Sequence, residues 1–99
     1  MLEWIFDLDD DILKIALKGR LDTVTAPDLE KALDEKADLV NRMIFDCTDL
    51  IYMSSAGLRL FLTYYKKMRP KGGMEIRNVS EPVQEVFEIT GFDEFLVLR

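Results

Sequence analysis

Between Leu13 and Leu98 the spacing of apolar residues switches repeatedly between period two and period 3.6, which confines the chain to a sheet covered by helices. Leu13, Ile15 and Leu17 alternate with Lys14, Ala16 and Lys18, as a half-buried strand requires, and the aromatic-rich Leu2 to Leu8 reads as its partner. Asp9, Asp10 and Asp11 join them as a hairpin turn. Consecutive carboxylates do not converge on a cation without a folded loop behind them, so this triplet reads as a solvated turn.

After Gly19 to Thr23 comes a helix start: Thr25 as cap, Pro27 in the first turn and Asp28 near the positive end of the dipole. The helix is expected to run to about residue 39, with Ala26, Leu29, Leu33, Ala37 and Val40 on its buried stripe. Met43, Ile44 and Phe45 form a short apolar run expected of a central strand, ending at Asp46 and followed by a loop to Met53. Leu58, Phe61, Leu62, Tyr65 and Met68 give a second helix from Ser54 to Met68, terminated by Arg69 to Gly73. A strand from Met74 to Val79 follows. A third helix starts at Ser80 and Pro82, turns Val83, Val86 and Phe87 inward and stops at Gly91, and Phe95 to Leu98 is read as a last strand. The expectation is one α/β domain over residues 1–99, with about five strands in a mixed sheet and three main helices.

Composition narrows the function classes. The 13 Lys plus Arg against 19 Asp plus Glu give a net charge of −6, which repels nucleic acid and anionic membrane surfaces. No apolar run is long enough for a membrane span, and the first residues lack the basic region of a signal peptide, so the expected location is the cytoplasm. Cys47 is the lone cysteine and histidine is absent, which argues against a disulfide and a thiolate or imidazole metal site. Without a histidine base or a Gly-rich phosphate loop, neither an activated nucleophile nor a nucleotide cradle is visible. Asp22 and Asp49 are an acid–base candidate only if the fold pairs them. The reading is a non-enzyme with no cofactor and no metal.

The segment from Asp46 to Arg59 leaves the carboxyl end of a strand and enters a helix, where sites concentrate in α/β folds. Ser54 and Ser55 are placed at a helix N-terminus, whose free N–H groups and dipole favour an attached phosphate as well as an ordinary serine cap. Ala56 and Gly57 keep bulk away from the hydroxyls, although Gly57 also suits a close helix approach. Ser55, Arg59 and Thr63 lie at successive helical turns, flanked by Ala56 and Leu60. That strip is expected to be exposed, and Leu60 then has no core to enter.

The run Tyr52-Met53-Ser54-Ser55-Ala56-Gly57-Leu58-Arg59, with Gly19-Arg20-Leu21-Asp22 before it, resembles the STAS family, and within it the anti-sigma factor antagonists. The resemblance spans essentially the whole chain. It implies that Ser55 is a phosphorylation site, with Ser54 as second choice; Ser54 stands where such proteins carry an aspartate. It further implies partner switching: the unphosphorylated domain binds an ATP-dependent anti-sigma factor serine kinase, is released on phosphorylation, and is restored by a serine phosphatase, regulating sigma-factor-dependent transcription. The partner surface is expected at Asp22, Thr23, Asp49, Ser54, Ala56, Gly57, Arg59, Leu60 and Thr63. Two rival functions are compatible with the same fold. One is a STAS subunit of a transport or stress-sensing assembly, which the departure at Ser54 would suit, and the other is a small-ligand sensor.

Overall fold

The computed structural model describes the backbone of residues 1–91 and 97–98 and the side chains of residues 1–91. Its elements are β1 (Leu2–Asp9), β2 (Ile12–Leu21), α1 (Ala26–Ala37), β3 (Arg42–Met53), α2 (Ser55–Met68), β4 (Met74–Arg77), α3 (Glu81–Thr90) and β5 (Val97–Leu98). The strands form one sheet in the order β1-β2-β3-β4-β5, with β1 antiparallel to β2 and every later pairing parallel. This is the expected mixed α/β arrangement. Phe92, Phe95 and Leu96 of the expected ending lie outside the described residues, while Val97 and Leu98 pair with Glu75 and Ile76 as expected of a last strand.

One face of the sheet carries the core. Leu13, Ile15 and Leu17 point into it from β2, and Met43 and Phe45 from β3, all nearly without solvent exposure. Phe61 of α2 meets the Phe45 ring edge-on at 5.1 Å between centroids and the Phe87 ring of α3 at 5.9 Å, which ties both helices to the centre of the sheet. On the opposite face Lys14, Ala16 and Lys18 remain exposed, so the alternation in β2 records a sheet covered on one side.

β3 departs most from expectation. It does not end at Asp46 but continues to Met53 alongside β2, with irregularities where Asp46 to Asp49 oppose Ala16 to Lys18 and where Leu50 to Tyr52 oppose Gly19 to Arg20. Each inserts one extra residue into β3, as a bulge does. The inward residues are therefore Met43, Phe45, Cys47, Leu50 and Met53, spaced first by two and then by three. Stretched spacing hides a strand from a period-two reading. β2 likewise runs on through Gly19 to Leu21, beyond the alternating stretch that marked it in the sequence. Gly19 has φ 108° there, and a Cβ would clash with the Met1 carbonyl oxygen, which accepts the Arg20 N–H.

Smaller corrections have local causes. α1 stops at Ala37 rather than residue 39, and β4 stops at Arg77, where Asn78 turns left-handed at φ 59°. Thr25 makes no cap to α1; its hydroxyl serves the preceding turn instead. In α2 the buried residues are Gly57, Leu58, Leu60, Phe61, Tyr64 and Met68, with Leu62 and Tyr65 only partly covered. Leu60, expected on an exposed strip, is 2% exposed. α2 packs on the sheet with one side and against α1 with another, and the Tyr64 hydroxyl fastens the second contact by donating to the Asp34 carboxylate of α1.

Candidate functional site

The site is built where β2 and β3 end side by side and α2 begins. Leu21 pairs with Met53, and the Ser54 N–H donates to the Leu21 carbonyl at 2.9 Å, so the ladder continues one residue past the strand. Ser54 is extended (φ −94°, ψ 180°), and its Oγ accepts the Ala56 N–H at 3.2 Å, which makes it the cap of α2. Ser55 is the first helical residue and is exposed. Its hydroxyl lies at the positive end of a 14-residue helix whose cap is already supplied by Ser54.

Gly57 explains why this start is held so close to the sheet. A Cβ there would lie 2.7 Å from Met53 Cγ and 2.8 Å from Leu21 Cγ, so glycine lets the first turn of α2 rest on the two strand ends without displacing either side chain. Gly57 is buried, and the close approach it allows is the one the sequence left open for it beside access to the serine hydroxyls.

Beside the helix start the chain leaves β2 through a tight polar turn. Asp22 Oδ1 accepts the N–H groups of Val24 and Thr25, both at 3.0 Å. The Thr25 hydroxyl accepts the Asp22 N–H at 2.9 Å and donates to the Arg20 carbonyl at 2.8 Å. The Thr25 N–H, and after it the Val24 N–H, hold the Asp22 carboxyl below the usual carboxylate range. Asp22 therefore organises the turn that presents Thr23.

From Thr23 a groove of about 220 Å³ runs between α1 and α2, lined also by Ala26, Pro27 and Glu30 on one wall and Ala56, Arg59, Leu60 and Thr63 on the other. Five expected site residues thus share one surface: Thr23, Ala56, Arg59, Leu60 and Thr63. Leu60 contributes to the groove's buried floor, whereas Arg59 is exposed. Asp49 is elsewhere. It is an exposed β3 residue opposite Lys18, beside a separate hollow of about 100 Å³ that includes Glu3 and Trp4. Since Asp22 lies four residues beyond Lys18, just past the end of β2, roughly 13 Å of extended chain separates the two aspartates, and they form no acid–base pair.

The structure also adds residues that sequence pattern did not single out. Val24 is 82% exposed in the turn after Asp22, and Ile51 and Tyr52 are exposed at the end of β3. The Arg20 guanidinium lies 4.2 Å from the Tyr52 ring centroid and 3.9 Å from Asp22 Oδ2. Apolar side chains left in solvent around the helix start suit a contact surface. The available signal was the unexplained apolar pair Ile51-Tyr52, whose outward direction depends on the β3 bulges.

The lone thiol is buried away from this surface. Burial, and then the neighbouring Asp46 charge, push the Cys47 thiol up to about 12, so it stays protonated in the core. Among the described residues no three His, Cys, Asp or Glu side chains converge as a metal site, and no helix is long and apolar enough to cross a membrane.

Comparison with known proteins agrees with this architecture. The STAS domain profile matches residues 4–99. The anti-sigma-B factor antagonist of Listeria monocytogenes is 30% identical over 99 residues, covering 96% of this chain and 85% of its own length. Among solved structures, an anti-sigma factor antagonist from Mycobacterium paratuberculosis superposes with a TM-score of 0.89 at 23% identity, covering 99% of this chain and 85% of that one. The anti-sigma factor antagonist SpoIIAA is similar in its unphosphorylated form, with a TM-score of 0.84 at 20% identity over 98% of this chain and 88% of that one. The Bacillus SpoIIAA structure in the phosphorylated form gives 0.77 at 19% identity over 98% and 91%. The sheet order, the glycine-supported start of α2 and the profile match over nearly the whole chain lead to one assignment: this chain belongs to the STAS domain family.

Proposed function

We propose that the protein is an anti-sigma factor antagonist of the cytoplasm, which binds an ATP-dependent anti-sigma factor serine kinase and is released when that kinase phosphorylates Ser55. The observation that carries this reading is the division of labour at the start of α2: Ser54 caps the helix, and Ser55 is exposed beside it. The name of the Listeria relative and the existence of SpoIIAA in both phosphorylation states support it. Ser54 also answers the departure from the family's aspartate, since a serine oxygen accepts a helix N–H as a carboxylate oxygen would.

The chain supplies an acceptor and a docking surface. The kinase supplies nucleotide, metal and catalysis: Ser55 Oγ attacks the γ-phosphorus of ATP, ADP departs, and the hydroxyl proton goes to the kinase's base. The added phosphate brings roughly −1.5 to −2 charges to a helix start whose dipole tolerates them, so the fold survives while the contact surface gains negative charge. Repulsion and bulk suffice to release the kinase. A serine phosphatase then returns the domain to its binding form.

The test is capture from native extract with Ser55→Ala and Ser55→Asp baits. A serine kinase that also binds a sigma factor is expected on the first and depleted on the second. Equal recovery on both baits, or capture of no kinase, counts against this function.

A further inference from the structure

We propose that the free edge of β1 is a docking site for an extended segment of another protein carrying a basic, an apolar and a basic residue at alternate positions. β1 is the first strand of the sheet order, and no described strand pairs with its outer side. It is eight residues long, contains no proline, and pairs with β2 without a register shift from Leu2 to Asp9. Such an edge offers a regular row of backbone donors and acceptors to one more strand.

Charge on the open sheet face says what that strand carries. Glu3, Ile5 and Asp7 of β1 lie opposite Lys18, Ala16 and Lys14 of β2, which lie opposite Asp49, Asp46 and Ile44 of β3. Across the outer rows the sign alternates from strand to strand: Glu3, Lys18, Asp49 at one level and Asp7, Lys14 at another. Opposite charges facing one another across strands are favourable and like charges are not, so a strand beyond β1 continues the series with basic residues against Glu3 and Asp7. Between them Ile5, 71% exposed, calls for an apolar neighbour. Towards the helix side the half-buried Trp4 and Phe6 call for apolar residues at the intervening positions. Because Glu3 and Asp7 are symmetric about Ile5, the pattern reads the same in either strand direction.

The same charges disfavour the self-pairings of β1 that overlap most of the strand. An antiparallel β1 pair centred on Ile5 sets Glu3 against Asp7 twice, and one centred on Phe6 sets Glu3 against Asp9 twice. A basic partner segment satisfies Glu3 and Asp7 together, which neither of these self-pairings does.

The chain's own β2 contains the required pattern at Lys14-Ile15-Ala16-Leu17-Lys18, so a peptide Ile-Leu-Lys-Ile-Ala-Leu-Lys, copied from residues 12–18, is the natural probe. Titrated into isotope-labelled full-length protein, it is expected to shift the β1 amides. Replacing both lysines by glutamate should weaken binding about tenfold or more, and replacing the alanine by proline should abolish it. In a Glu3→Lys, Asp7→Lys chain, checked by circular dichroism, the preference between lysine and glutamate peptides should invert. Equal binding of the two peptides to the wild-type chain, shifts centred on the α1–α2 groove, or no shift would each overturn the proposal. So would self-association of the unmodified chain through β1, which makes the occupant a second copy.

Discussion

Ser54 Oγ accepts the Ala56 N–H at 3.2 Å, and this bond gives two adjacent serines different consequences when either is removed. Ser54→Ala deletes the cap and should cost about 1 kcal/mol of stability, whereas Ser55→Ala should leave the thermal midpoint nearly unchanged. With a cognate kinase and Mg-ATP, peptide mass spectrometry should place a single phosphate on Ser55. Phosphate on Ser54, or undiminished modification of Ser55→Ala, would show that the acceptor was assigned wrongly.

Ser55→Asp should weaken kinase binding while leaving the domain folded. An acidic side chain at the first helical position interacts favourably with the dipole, by about 0.3–1 kcal/mol at an exposed site. Thermal midpoint and affinity are therefore expected to move independently. A large fall in the midpoint would assign the serine hydroxyl a structural role.

Arg59 and Leu60 are neighbours in sequence with opposite environments, and their variants should separate accordingly. Arg59→Glu changes an exposed groove residue and should weaken the partner contact with little effect on folding. Leu60→Asp puts a carboxylate into the α1–α2 contact and should destabilise the domain by about 3 kcal/mol or more. Calorimetry for binding, with chemical denaturation for stability, distinguishes the two. Wild-type affinity in Arg59→Glu would remove the groove from the interface and redirect attention to Val24, Ile51 and Tyr52.

What the sequence disclosed follows from how each residue is buried. Leu13, Ile15 and Leu17 alternate because one side of β2 meets solvent, and that pattern survives without coordinates. Cys47, Leu50 and Met53 are equally buried, but two bulges stretch their spacing to three, so the strand resembled a loop. Leu60 was misplaced for a related reason: helical spacing reveals one stripe, whereas α2 is covered from two directions, and the second depends on where α1 lies. Ser54 and Ser55 were legible because a cap is local chemistry. Asp22 was named for a contact surface, yet its carboxylate is occupied with the Val24 and Thr25 N–H groups, a turn geometry that residue type alone leaves open.

Gly57→Ala tests whether close packing sets the position of the serines. The added methyl would lie under 3.0 Å from the side chains of Met53 and Leu21, both in the core, and should cost about 1–3 kcal/mol. The helix start would be displaced with it, so Ser55 should also become a poorer kinase substrate. Unchanged stability by denaturant titration would mean that Met53 and Leu21 rearrange to make room.

The contact between α1 and α2 should carry a measurable acid dependence, because Asp34 joins the helices through its charged form. The Tyr64 hydroxyl, and after it the Lys67 ammonium at 3.1 Å, hold the Asp34 carboxyl below its usual range. A carboxylate whose folded pKa is depressed contributes stability that is fully present above its unfolded value, near 3.8, and is lost as pH falls through the folded value. Asp34 is half exposed, so solvent screening keeps the contribution small. The expected signature is therefore differential: the wild-type advantage in thermal midpoint over Asp34→Asn should be present at pH 7 and shrink as the pH is lowered below about 4. Tyr64→Phe removes the largest cause, so carboxyl-carbon NMR titration of that variant should show the Asp34 pKa moving up towards its usual value. An unchanged titration would mean that the hydroxyl bonds chiefly to the Glu30 carbonyl, its other acceptor at 2.9 Å, and that the acid dependence arises from Lys67.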